Sequence, residues 1–461
     1  MAEVKLFGYC NNISVRPGDE QTFHVTADGT DTAEAQLVRL IHGDQHPDGP
    51  GFIEEEVDCE INGAWQVKKQ YTQVGSYLQV PDPENRLCID GSFSMFAYIW
   101  PSLHPKVGAQ AVCGRYDDFN SIGYAFGIDE TGHLGFIVAD GKEFDAVISE
   151  IPLQRHIWYF IGASYDASTG RATLHQVGVV NRYNSLWGKV TPMDYDSHVS
   201  ETLRFKPKHA PDISFLVGGT WDFHVNRGKF VNELYSGKVD RPGIVSRVLS
   251  REEFDHICSG GKPPENDILA YWDTSAGYTD TGIGDSVTDT GPYGLHAIGI
   301  NKPVRAQTGW NWNGRNDCFR LAPEEYGGIE FHDDAIIDCG WDVTHRLTIP
   351  ENLKSGVYAI RLRAGDATGL GEEYLVFFVR ATTPRAPIAL LIPTASYLAY
   401  ANDHLTFDAQ MAQPIVGQTP IVSDIDIEVY QSPEFGLSTY DHHQDGAGVC
   451  YSSYRRPIVS L

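Results

Sequence analysis

The densest run of side chains able to do chemistry is 438–456, STYDHHQDGAGVCYSSYRR. It gathers Tyr440, Asp441, His442, His443, Asp445, Cys450, Tyr451, Tyr454, Arg455 and Arg456 around a flexible DGAG turn. Imidazole, carboxylate and phenol groups together could ligate a metal or move protons. The same residues also suit a polar loop that closes a sheet, with the tyrosines packing and the arginines paired with acids. A second cluster, EFHDD at 330–334, reads either as ligands or as a strand end with solvated acids. The triplet Gly284-Asp285-Ser286 has a nucleophile-like look, but no buried strand leads into it. HExxH, a GxSxG elbow and a phosphate-cradling glycine loop do not occur. Eight cysteines show no CxxC spacing, which removes support for structural zinc or a redox pair. Glu54-Glu55-Glu56 reads as a solvated run.

The elements that must carry these residues are mostly strands. Over 92–100, SFSMFAYIW alternates Phe93, Met95, Ala97 and Ile99 on one face with Phe96, Tyr98 and Trp100 on the other. Turns at 129–132 and 168–170 each join two apolar runs as hairpins. Ser250 followed by Glu253 is a capping-box signal for one helix. LKSGVYAIRLRAG and EEYLVFFVRA are two more strong strands. From Pro387 the character changes. APIALLIP reads as a buried parallel strand, and DIDIEVY as a second, with the polar TASYLAYANDHL just after the first.

The chain has 461 residues, length for about three domains. With 46 glycines, 25 prolines and 11% aromatics, it suits turn-rich β structure and excludes a coiled coil or a disordered chain. The net charge of −26, without a basic run, disfavours nucleic acid and anionic membrane surfaces as partners. No apolar stretch approaches the ~18 residues of a membrane helix. The opening MAEVKLFGYCNN lacks the basic-then-apolar order of an export signal, so a cytoplasmic protein with reduced, mostly buried thiols is expected.

Two resemblances sharpen this. Trp158, Tyr165, Asp166, Thr169, Gly170 and Leu174, with the closing GKVD and LSREE, resemble a laminin-G-like or concanavalin-A-like jelly roll. Across the whole chain, GYCNNISVRPGD, LVRLIHGDQHPDGPG, GSYLQVP, NKPVRAQTGWNW, APEEYGGIEFHDD, SGVYAIRL, LIPTASYLAYAND and STYDHHQDGAGVCYSS resemble the large (beta) subunit family of N,N-dimethylformamidase. That family resemblance implies a mononuclear iron hydrolase for small N-alkylated formamides, releasing formate and amine. It implies Fe(III) held by two tyrosine phenolates and a glutamate, hard anionic oxygens suited to that ion. Such a metal polarises the formyl oxygen and activates water, and a nearby acid protonates the departing amine.

Carried onto this chain, the resemblance makes Tyr440 one ligand and Tyr400 the other, with Tyr397 as the alternative to Tyr400. Asp441, His442, His443 and Asn402 would then orient the phenolates or a water by hydrogen bonds. The family's glutamate ligand and its acid and base lie in a continuation beyond Leu461, so no catalytic acid or base is assigned here. The expected architecture is mainly β. Residues 1–70 and 263–385 form an immunoglobulin-like β-sandwich. A jelly roll at 71–262 is inserted in it, and an incomplete α/β domain begins at 386–461. A small subunit, and a polypeptide completing the α/β domain, are the expected partners in a hetero-oligomer that would be inactive without the missing part. The other functional expectation is a carbohydrate- or protein-binding jelly roll with a scaffold role.

Overall fold

The computed structural model describes residues 4–44, 46–103, 108–179, 195–365, 371–383, 386–404, 417 and 421–459. Gln45 of the expected 44–51 loop, and the LTFD that follows His404, lie outside the described residues. The chain is mainly β, with three short α-helices among the described residues. It divides into two compact units. One comprises Met1–Val74, Ile336–His442 and Gly448–Leu461; the other comprises Gly75–Ala335 and His443–Ala447.

In the first unit, Lys5–Cys10 and His345–Thr348 flank Glu20–Asp28 in an antiparallel sheet. A second sheet runs Ser14–Val15, Gly371–Val379, Gly356–Ala364, Thr32–His42 and Ile53–Glu56, with Gly63–Gln66 also on Thr32–His42. Strand alternation turns Phe23 and Val25 from one sheet, and Leu37, Ile360 and Phe377 from the other, into one core. Arg361 pairs with Glu54 and with Glu56, 2.9 Å away. Glu54 therefore departs from the solvated run expected at 54–56.

In the second unit the strands link into a nearly closed sheet. Phe93–Pro101 lies between Tyr159–Asp166 and Gly237–Val245. Its alternation is as read from the sequence: Phe93, Met95, Ala97 and Ile99 join Phe126, Phe136 and Trp272 in the large core. Phe96 and Tyr98 face the other way, onto Phe160 and Phe254. Both expected hairpins form, with Ile128 opposite Leu134 and Asp166 opposite Arg171. Helix α1 (Arg251–Cys258) starts at the Ser250–Glu253 capping box and buries Phe254 and Ile257. The unit's entry and exit meet, since Gly75 N–H donates to Ala335 O at 2.8 Å and Ser76 N–H to His332 O at 2.9 Å.

Three expectations change. Strands between Ile268 and Phe331 pair inside the second unit, with Gly237–Val245 and Tyr77–Val80, rather than with residues 1–70. Trp272 explains this: it is fully buried there, and its Nε1 donates to Leu295 O at 2.7 Å. Neither apolar run of the expected α/β start is a strand. Residues 386–393 pair with no strand among the described residues, and Leu391 is 92% exposed. DIDIEVY forms helix α3 (Asp424–Gln431; α2 is described below), because Ser423 and Asp426 close a capping box over the alternating Ile425 and Ile427. Of the eight cysteines only Cys10, Cys113 and Cys339 are buried, fewer than expected.

Candidate active site

Helix α2 (Thr394–Tyr400) follows Pro393 with the sequence TASYLAY, in which Ala395, Leu398 and Ala399 are the strong helix formers. Asn402 stops it in the left-handed region at φ 58°, a conformation asparagine tolerates better than most residues. Tyr400 is the last helical residue. Its ring stacks on that of Tyr440, with centroids 4.4 Å apart and planes 16° from parallel. The rings are 47% and 51% exposed, so both phenols reach solvent. Tyr440, as hydrogen-bond partner and as a charge, holds the Tyr400 pKa above the usual tyrosine value. Two phenolates this close repel each other unless a cation lies between them.

The pair stands on a buried polar scaffold. Thr439 donates from its N–H and its hydroxyl to Ala399 O, at 3.0 and 3.1 Å. Asp441 accepts from the N–H groups of Ser438, at 2.9 Å, and His404, at 3.1 Å. Asn402 gives its amide N–H groups to Phe435 O and Pro457 O and takes Val459 N–H on its oxygen at 2.8 Å. Arg456 is 1% exposed and faces no carboxylate within salt-bridge distance among the described residues. Its guanidinium donates instead to Phe435 O and Leu437 O, each at 2.8 Å, to Ser453 O at 3.2 Å and to Ala401 O at 3.3 Å. Burial pulls its pKa down to about 10, which leaves it charged at neutral pH.

The second unit holds a separate cluster that joins the two sequence runs. His332 and His443 stack, with centroids 3.8 Å apart and planes 5° from parallel. Asp334 Oδ1 is 2.5 Å from His443 Nδ1, and Asp445 Oδ2 is 3.4 Å from His332 Nδ1. Burial opposes the charged form of His332, but Asp445 outweighs it and the pKa is raised. Burial would likewise raise Asp445. His332, the Ser102 hydroxyl and Ala447 N–H hold it well below the usual carboxylate range instead.

The structure thus brings Tyr400, rather than Tyr397, against Tyr440. It places Asp441 and Asn402 in the scaffold below them, leaves His442 exposed, and packs His443 into the other unit. Sequence reasoning paired both arginines with acids. Arg455 does pair with Asp338, at 3.2 Å, whereas Arg456 binds carbonyls. It also missed Gly436, whose φ is 74°. A Cβ there would lie 2.0 Å from Ile336 Cγ2 and 2.6 Å from Arg456 Nη1. Among the described residues no group of three or more His, Cys, Asp or Glu could hold a metal ion. No described helix is long and apolar enough to cross a membrane.

Fold and site define a mainly β protein that presents two stacked, half-exposed tyrosines from a polar scaffold. Comparison with known proteins shows what the chain is similar to. The chain is 40% identical over its whole length to an N,N-dimethylformamidase beta subunit from Paracoccus aminophilus, and 38% identical to one from an Alcaligenes species. It spans 60% of the length of each. The family model described as N,N-dimethylformamidase beta subunit-like, C-terminal, matches residues 304–461. By sequence, the chain is a relative of the N,N-dimethylformamidase beta subunits. Among solved structures, a putative carbohydrate binding protein from Bacteroides ovatus ATCC 8483 is 10% identical, with a TM-score of 0.34, over 65% of this chain and 91% of its own. A likeness of that degree has no bearing on function.

Proposed function

We propose that this chain supplies the tyrosine half of a mononuclear iron site in an amide hydrolase that cleaves small N-alkylated formamides, dimethylformamide among them, to formate and amine. The observation that carries the reading is the stacking of Tyr400 on Tyr440, which sets two hard oxygen donors side by side at a half-exposed site. Such a donor set favours a hard trivalent cation, which relieves the repulsion between phenolates. When bound, Fe(III) would supply Lewis acidity toward the amide carbonyl and toward water. Tyr400 and Tyr440 would hold it. Asp441 keeps the backbone around Tyr440 in place through Ser438 N–H and His404 N–H. His442, exposed two residues after Tyr440, is a further candidate for orienting a water there by a hydrogen bond. Two phenolates do not complete a coordination sphere, so the remaining ligand and the acid–base pair belong to further polypeptide.

The partners follow from that incompleteness. The exposed run at 386–393 and the exposed Ile425 and Ile427 of α3 suit a neighbouring layer that completes an α/β domain. The relatives are named beta subunits, which supports a hetero-oligomer with a small subunit. We read the first unit as an immunoglobulin-like sandwich, the second as an inserted jelly roll, and the protein as cytoplasmic. The test is purification of the chain together with the completing polypeptide. Bound iron, a phenolate-to-iron absorption band and formate release from dimethylformamide are expected. A metal-free, inactive complex would overturn the reading.

A further inference from the structure

We propose that Arg456 is a positioning residue for the tyrosine pair: its buried guanidinium sets the separation of Tyr400 from Tyr440. Tyr400 ends α2 and Tyr440 follows the 432–439 segment; Thr439 ties the two at one point, Ala399 O, and Arg456 ties them at several more. Arg456 Nη2 is bonded to both sides at once. It donates to Ala401 O, the residue after Tyr400, and to Leu437 O, three residues before Tyr440. It also donates to Ser452 Oγ at 3.2 Å, which in turn donates to Leu398 O inside α2 at 2.6 Å. Nη1 holds Phe435 O, the carbonyl that Asn402 shares. A planar fork with five donors can span these carbonyls together, and a lysine ammonium cannot. Gly436 belongs to the same device, since any side chain there would strike Nη1. With no carboxylate within salt-bridge distance among the described residues, this buried cation depends on these carbonyl oxygens for its hydrogen bonds. Here it knits the two tyrosine-bearing segments.

The inference rests on the iron reading only for its second readout, and the two fail separately. The first readout is photo-oxidative dityrosine cross-linking of the full chain, located by peptide mass spectrometry. The wild type should link Tyr400 to Tyr440. In Arg456→Lys and Ser452→Ala, each with a cooperative thermal transition retained, the link should fall at least fivefold and about twofold. No link in the wild type, or an undiminished link in folded variants, overturns the proposal. The second readout is iron titration, where Arg456→Lys should shift the phenolate-to-iron band or lower uptake at least threefold. If the wild type takes up no iron but its link depends on Arg456, the iron reading fails and the positioning role stands. If iron binds and folded Arg456→Lys leaves link and band unchanged, the reverse holds.

Discussion

Arg455 and Arg456 are neighbours in sequence with opposite work. The first is half exposed and pairs with Asp338, an interaction worth little at a surface. The second is buried, and each of its charge-assisted bonds to a carbonyl contributes about 1.5–3 kcal/mol. At this scale the tyrosines make a direct prediction. The neighbour that raises the Tyr400 pKa is Tyr440, as hydrogen-bond partner first and as a charge second. Tyr440→Phe removes both effects. In the metal-free chain, Tyr400 should then ionise at lower pH, moving toward the ordinary value near 10. Ultraviolet difference titration of Tyr440→Phe against the double variant Tyr400→Phe/Tyr440→Phe isolates that one phenol. An unchanged Tyr400 transition would mean the rings do not sense each other.

Among the elements, the 443–447 turn has the sharpest pH signature. The folded pKa of His332 is raised, so its contribution is full below the unfolded value of about 6.5 and is lost as pH climbs through the folded value. Asp445 is depressed, so its contribution is full above about 3.9 and is lost as pH falls toward its folded value. His332→Gln leaves a buried carboxylate without its cation, at a cost of roughly 3–5 kcal/mol near pH 5 and less at pH 8. Urea midpoints across pH 4–9 read this. The wild-type midpoint should decline on the alkaline side, and the variant's should not. The sequence made part of this legible. Ser250 and Glu253 announced α1, and the alternation over 92–100 gave both of its faces, because caps and strand periodicity are local. DIDIEVY misled because its alternating isoleucines imitate a strand, while the Ser423–Asp426 cap three residues apart decides for a helix. The partnership of His332 with Asp445, and the clamp of Arg456 on Ala401, could not be read at all. They join residues far apart in the chain, and nothing in either segment marks the other.

For the whole molecule, the two units carry separate expectations. The bonds of Gly75 and Ser76 to Ala335 and His332 close the second unit at its own entry and exit. A fragment spanning residues 75–335 should therefore fold with one cooperative transition by calorimetry. Lacking Asp445, it should also lose the alkaline decline that His332 confers on the full chain. A fragment that melts without an enthalpy peak would show that the unit depends on the remainder.

That same closure sets an order of events during synthesis. Glu20–Asp28 and Thr32–His42 leave the ribosome early, but their partners His345–Thr348 and Gly356–Ala364 come after the whole of Gly75–Ala335. At about 5–20 residues per second, that interval is on the order of 10–50 s. Collapse and hairpin formation take microseconds, so the inserted unit has time to form while Phe23, Val25 and Leu37 still lack half their core. The nascent chain thus carries these strands for many seconds paired along one edge only, with Lys5–Cys10, Ile53–Glu56 and Gly63–Gln66, and ribosome-bound chaperones have their longest opportunity there.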